Sequence, residues 1–149
     1  VSVSYKGVKL KDYLIDLGGI HDKEGQSIFT ARSMISMAAR ANKVIPIDTV
    51  HINIHDLDDL EDNLKIARNF GFEGMLILHP KEIELAHKYF SPSEKEIQEA
   101  KEILKLSEQA KNEEKGVAMI NGKFIGPPIV ITANKTLTKV ELINKKFNK

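Results

Sequence analysis

The apolar positions change their period along the chain. Residues 1–5 alternate apolar and polar and read as a strand; a polar loop follows, and Asp12-Tyr13-Leu14-Ile15-Asp16-Leu17-Gly18-Gly19 closes it with a short turn. Over residues 26–42, Ile28, Ala31, Ile35, Ala38 and Ala39 recur at helical spacing with Arg32 and Arg40 between them, so a helix is expected there. Residues 43–50, KVIPIDTV, form a second β-rich run, its proline near the start where a missing N–H is tolerable. Asp56 suits the N-cap of the next helix, with Asp58, Asp59 and Glu61 in the first turn where the helix dipole favours them. Leu57, Leu60, Leu64 and Ala67 make its buried stripe, and Gly71 stands where it should stop. A third strand, residues 74–78, runs through Met75-Leu76-Ile77-Leu78 and ends abruptly at His79-Pro80. Such a run reads as a parallel strand buried on both faces, and the polar residues at its C-terminal tip are where such strands carry chemistry.

Strands alternating with helices imply βαβ units, a parallel sheet and right-handed crossovers. Three strands cannot close a barrel, and an eight-stranded barrel takes roughly 250 residues. The first 90 residues are therefore either a portion of a barrel or a small open sheet. Beyond them the character changes. Ser91-Pro92-Ser93-Glu94 offers a capping hydroxyl, proline at the first helical position and glutamate at the third, so a helix is expected from there to about Asn112. Val117 to Ile125 reads as a hairpin around Asn121-Gly122, a pair that supplies the positive φ angles of a type I′ turn. Pro127-Pro128 ends it, a last helix occupies residues 129–142, and the basic residues 144–149 are expected to fray.

Composition narrows the partners. Of 149 residues, 42% are hydrophobic, enough for a core, and 22 Lys plus Arg against 21 Asp plus Glu leave a net charge of +1. No general field draws nucleic acid or a membrane surface, so an anionic ligand has to be bound locally. Without cysteine there is no disulfide, no thiolate metal site and no cysteine nucleophile. No apolar run approaches the roughly 20 residues that span a bilayer, and a soluble, cytoplasmic protein is the expectation. The chain opens Val1-Ser2-Val3 without an initiator methionine, inside an alternating run, which suggests the C-terminal part of a longer protein.

Several residues carry candidate chemistry. Asp12 reads as a Mg²⁺ ligand or as a cap or solvated loop residue, and Asp48 as a ligand contact or as an acceptor for backbone amides of a neighbouring loop. His79 suits an acid, a base or a hydrogen-bond donor near neutral pH, or a histidine that locks the His-Pro turn. His51 and His55, four apart, lack a third metal ligand nearby, and their spacing is assigned to chance. Asp16 is assigned to a turn, and Arg32 and Arg40 to a solvated helix face.

Residues 69–94, NFGFEGMLILHPKEIELAHKYFSPSE, resemble the GFDGK-(apolar)-IHP-xQI and TPSExE segments of the citrate lyase beta-subunit and malyl-CoA lyase group of the HpcH/HpaI aldolase superfamily. DYLIDLG, from Asp12, is similar to that group's GxED(Y/L/F)xxDLG segment, and Asp48-Thr49 to its IDT(V/P). The resemblance implies an α/β fold, the C-terminal portion of a (β/α)8 TIM barrel. Residues 1–90 would supply its last three βα units, and residues 91–149 a helix–hairpin–helix extension packing on a neighbouring subunit. It implies a Mg²⁺-dependent carbon–carbon lyase that cleaves a hydroxyacyl-CoA to a 2-oxo acid and an acyl-CoA. Asp12 would bind the metal with a glutamate from a missing N-terminal barrel half, and Asp48, His79 and Pro80 would bind substrate, His79 beside the coenzyme A channel. A homo-oligomer, trimer or hexamer, is implied. Two departures stand out: Lys9-Leu10-Lys11 replaces the residues ahead of the metal-binding aspartate, and Gly126 occupies the place of the acid/base aspartate in the group's DGKMIDxP motif. They favour the alternative, a non-catalytic barrel fragment or oligomerisation element.

Overall fold

The computed structural model describes residues 10–20, 22, 25–112, 118–120 and 123–147. The expected first strand, residues 1–5, and the Asn121-Gly122 turn lie outside the described residues. The chain divides into two compact units, Val1–Phe90 and Ser91–Lys149.

In the first unit the segment expected to be a turn is a helix, α1 (Leu10–Asp16). The Tyr13-Leu14-Ile15 triplet carries it, and Leu14 is buried against Ile28. A single 3₁₀ turn (Gln26–Ile28) leads into α2 (Phe29–Ala41), followed by β1 (Ile47–Asp48), α3 (Leu57–Asn69), β2 (Gly74–Met75) and α4 (Glu82–Phe90). β1 and β2 pair in parallel, Ile47 opposite Gly74 and Asp48 opposite Met75. The N–H groups of Glu73 and Leu76 extend the ladder to the carbonyls of Pro46 and Asp48, at 3.0 and 3.1 Å.

The core of this unit lies between α3, α4 and β2: Leu60, Leu64 and Ala86 are buried, with Met75, Leu85, Tyr89 and Phe90 packed against them. The expected stripe of α3 holds at Leu60, Leu64 and Ala67, while Leu57 is 39% exposed because it stands in the first turn, ahead of the packed face. The stripe of α2 is different. Its fully buried residues are Arg32 and Ser36, one turn and two turns beyond Ile28, while Ala31, Ile35 and Ala39 are half-buried and Ala38 is exposed. Buried polar side chains persist where they are paired, and Ser36 Oγ donates to the Phe70 carbonyl at 2.6 Å. The third strand is shorter than its apolar run, and Ile77 and Leu78 are 37% and 55% exposed. With β1 as the only strand paired to β2 among the described residues, burial on both faces does not arise.

The ends of α3 follow the sequence closely. Asp56 Oδ1 accepts the Asp59 N–H at 2.9 Å. Beyond the C-cap Phe70, Gly71 takes φ +83°, its N–H bonding Arg68 O at 2.9 Å and the Phe72 N–H bonding Ala67 O at 3.1 Å. This is the Schellman pattern, which requires a left-handed residue after the cap. α2 ends identically: Lys43 N–H bonds Arg40 O, Val44 N–H bonds Ala39 O, and Lys43 has φ +56°.

The second unit consists of α5 (Glu94–Asn112), the antiparallel hairpin β3 (Ala118–Ile120) and β4 (Lys123–Ile125), and α6 (Pro127–Phe147). The capping residue of α5 is Ser93, two residues beyond Ser91. Its N–H and hydroxyl both donate to Glu96 Oε2 at 2.8 and 2.7 Å, and Ser93 Oγ accepts the Glu96 N–H at 3.3 Å. Two serine-x-x-glutamate frames overlap here, 91–94 and 93–96, and the second leaves Pro92 outside the helix, where its restrained φ serves an extended entry. α6 begins two residues before its apolar stripe, at Pro127, and continues through the basic residues to Phe147, because Lys145 and Lys146 complement the helix's C-terminal dipole. Ala100 and Ala133 are buried where α5 and α6 pack. No helix among the described residues is long and apolar enough to cross a membrane.

Candidate functional site

β1 and β2 run in the same direction, so their C-terminal ends and the segments that leave them converge on one edge of the first unit. Asp48 closes β1. It is buried, and its carboxylate is held by Arg32 from α2: Nε donates to Oδ1 at 3.2 Å and Nη2 to Oδ2 at 2.5 Å. A two-pronged guanidinium–carboxylate contact fixes the plane of both groups. This pairing with Arg32 is one that the sequence did not announce for Asp48. Arg32 is 2% exposed rather than solvated, because burial is compensated by the pair. Its remaining nitrogen, Nη1, has no hydrogen-bond partner among the described residues.

His51 follows β1 and is also buried. Its Nε2 lies 2.9 Å from Asp59 Oδ2, which accepts Asn53 Nδ2 as well, and its Nδ1 faces Glu82 Oε1 at 3.7 Å. The His51/His55 spacing thus has a role at one member: His51 is a buried polar link between β1, α3 and α4. His55 is exposed, with its ring centroid 6.5 Å from that of His79. Residues 52–58 curve around an open cavity of about 820 Å³.

On the β2 side, Glu82 is fully buried, and its Oε2 accepts the N–H groups of Leu78 and His79 at 2.9 and 3.2 Å. The turn is closed a second time by the Glu82 and Ile83 N–H groups on the carbonyls of His79 and Pro80. His79 Nδ1 accepts the Lys81 N–H at 3.2 Å. In a neutral ring the proton is then on Nε2, so His79 presents a donor on its open side. Pro80 is exposed at the tip of the turn.

Asp12 lies on α1, and its side chain is outside the described residues. Among the described residues no three histidine or acidic side chains converge as a metal site, and both oxygens of Asp48 face Arg32. Gly126, in the second unit, precedes Pro127, and its carbonyl accepts the Ile129 N–H at 3.0 Å, so it is the N-cap of α6. Its φ is not positive, and a Cβ there would meet the edge of the Phe124 ring at 2.9 Å and Pro128 Cδ at 3.6 Å, with Phe124 itself 55% exposed. The backbone does not demand glycine at this position.

The sequence reading singled out Asp48, His79 and Pro80 but passed over Arg32, His51, Asp59 and Glu82 as a connected set. One signal was available: Arg32 stands four residues from Ile28 and four from Ser36, on a buried face where a lone arginine needs a carboxylate partner.

Residues 8–80 match the model of the HpcH/HpaI aldolase/citrate lyase family. Over 127 residues the chain is 32% identical to the citrate lyase subunit beta of Leuconostoc mesenteroides subsp. cremoris, covering 85% of this chain and 42% of that protein. It is 34% identical over 114 residues to the (3S)-malyl-CoA thioesterase of Cereibacter sphaeroides, covering 76% and 40% respectively. A crystal structure of CitE from Mycobacterium tuberculosis in complex with magnesium, acetoacetate and coenzyme A superposes with a TM-score of 0.72 at 26% identity, over 88% of this chain and 49% of that one. The chain spans less than half the length of the curated relatives it matches here.

Proposed function

We propose that this chain is the C-terminal part of a (β/α)8 barrel enzyme, a Mg²⁺-dependent lyase of the citryl-CoA/malyl-CoA type. In this reading residues 1–90 supply the last three βα units, residues 91–149 form an extension that packs on a neighbouring copy, and an N-terminal barrel half completes the site. The observation that carries the reading is the edge where β1 and β2 both end, with a locked Asp48 and a donor-presenting His79 whose ring faces His55 of the cavity lined by residues 52–58. Its support is the family match of residues 8–80 and a structural relative whose complex contains magnesium, acetoacetate and coenzyme A.

The substrate is a hydroxyacyl-CoA. A base takes the hydroxyl proton, the oxygen's electron pair forms the carbonyl of the 2-oxo acid, and the adjacent carbon–carbon bond breaks. Its electrons pass to the thioester as an enolate, which takes up a proton to become the acyl-CoA. His79 Nε2–H and the rigid Pro80 turn bind the coenzyme A portion, and Asp48, held in one orientation by Arg32, borders the acyl end. Asp12 is the metal ligand assigned to this chain, and its partner carboxylate comes from the barrel half. The test is release of 2-oxo acid from citryl-CoA and malyl-CoA by the protein together with its barrel half, before and after chelation and in Asp12→Asn. Release that requires metal and is lost in the variant supports the reading; release unaffected by both overturns the metal assignment.

Gly126 favours a second reading, a barrel element that binds but does not turn over. Coenzyme A binding without any 2-oxo acid release, unaltered by Gly126→Asp, would select it.

A further inference from the structure

We propose that Glu82 is a positioning residue, one that sets the His79–Pro80 turn and is itself set by His51 from the neighbouring strand end. The proposal rests on the reading of His79 as a ligand-binding residue, and its test separates the two.

Glu82 is 0% exposed, an uncommon place for a carboxylate. An apolar side chain would be less costly there unless the carboxylate has bonds to make. One oxygen makes two, to the N–H groups of Leu78 and His79, on the backbone that carries the His79 ring. The other oxygen, Oε1, is buried without a hydrogen-bond partner among the described residues, and so is the atom opposite it, His51 Nδ1, 3.7 Å away. Two orphaned polar atoms facing each other across a gap a few tenths of an ångström beyond bonding distance form one interaction. A slight rotation of either side chain closes it as a hydrogen bond when the ring carries both protons, because Nε2 is committed to the Asp59 carboxylate and Oε1 only accepts.

His51 is anchored in turn. Its Nε2 meets Asp59 in the first turn of α3, and Asp59 also holds Asn53. The segment leaving β1 and the turn leaving β2 are thereby joined through His51 and Glu82 rather than through their backbones. Lys81 N–H orients the His79 ring within that turn. The orientation of the His79 donor thus depends on Glu82, and through Glu82 on His51.

Three variants test this: Glu82→Gln, Glu82→Leu and His51→Leu. Glutamine retains an oxygen for the two backbone N–H groups and offers an amide donor to the Nδ1 of a neutral His51 ring; leucine retains neither. Removing a hydrogen bond to a charged group typically amounts to about tenfold or more in an equilibrium. In Glu82→Leu, amide exchange at Leu78 and His79 should therefore accelerate on the order of tenfold relative to amides elsewhere in α4, and the His79 ring should lose its Nε2-protonated ¹⁵N signature. Glu82→Gln should restore both, and His51→Leu should shift both in the same direction as Glu82→Leu. Unchanged exchange and an unchanged ring signature in Glu82→Leu or His51→Leu would overturn the proposal. If Glu82→Leu does not fold, His51→Leu and Glu82→Gln decide the matter alone, since the proposal requires an effect in the first and none in the second. Coenzyme A titration, followed at the His79 ring, is a separate arm: no binding by the parent protein would remove the functional reading and leave the exchange result standing.

Discussion

At the scale of single residues, the arrangement around Asp48 makes the sharpest demand. Breaking a buried ion pair by removing one partner strands the other charge and costs about 3–5 kcal/mol, whereas removing both is far less costly. Arg32→Met and Asp48→Leu should each destabilise the protein by about that amount, and the double variant by less than either alone. Urea unfolding of the four proteins measures the coupling; strictly additive losses would mean that the pair is not held as described. Asp22 provides a different test. The Ser27 hydroxyl and N–H, followed by the Gln26 N–H, bond its carboxylate and lower its pKa from 3.8 to about 2. Because the folded value is the depressed one, the associated stability is present above pH 3.8 and is lost as the pH falls through about 2. A carboxyl titration followed by NMR should find the Asp22 midpoint near 2, and a midpoint at 3.8 would contradict the geometry.

At the scale of elements, α2 and α3 leave by the same left-handed exit, one through lysine and one through glycine. A β-carbon in that conformation costs roughly 1–2 kcal/mol. Lys43→Gly should therefore raise the unfolding midpoint and Gly71→Ala should lower it, each by about 1 kcal/mol. Equal and unchanged midpoints would show that the loops, not the caps, set these ends. The contrast also explains what the sequence made legible. Asp56 and Gly71 announce themselves because each meets a local backbone need, and α3 follows; β3 and β4 pair where the hairpin was expected, its turn lying outside the described residues. α1 did not, since two glycines after Leu17 outweighed the short helical run before them. The α5 cap was assigned to the wrong one of two overlapping serine frames. Arg32, His51 and Glu82 were hidden for a further reason: their partners are distant in sequence, and a charged residue facing a buried carboxylate looks, in one dimension, like one facing water. His79 and Asp48 were visible because strand ends draw attention by position alone, whereas the side chain of Asp12 still rests on its motif.

For the whole molecule, exposed apolar side chains dominate the expected behaviour. Ile15 on α1, Leu17 and Ile20 just beyond it, and Met34 and Met37 on α2 are each more than 60% exposed, Ile20 reaching 85%. Surfaces of this kind mark contact with another protein surface or a tendency to aggregate. The purified chain should self-associate as its concentration rises and should bind a hydrophobic dye. Light scattering that reports one monomer mass at every concentration, with no dye bound, would exclude this.

The parallel register of β1 against β2 bears on the order of folding. A parallel pair needs a crossover before its strands can meet, and here the crossover is α3, an element whose start and stop are both set by its own residues. Local structure forms ahead of contacts that must first close a long loop. Pulse-labelled hydrogen exchange should therefore find the amides of α3 protected earlier than the Leu76 N–H that closes onto Asp48. The edge that carries His79 would be the last part of the first unit to take shape and, on unfolding, the first to be given up.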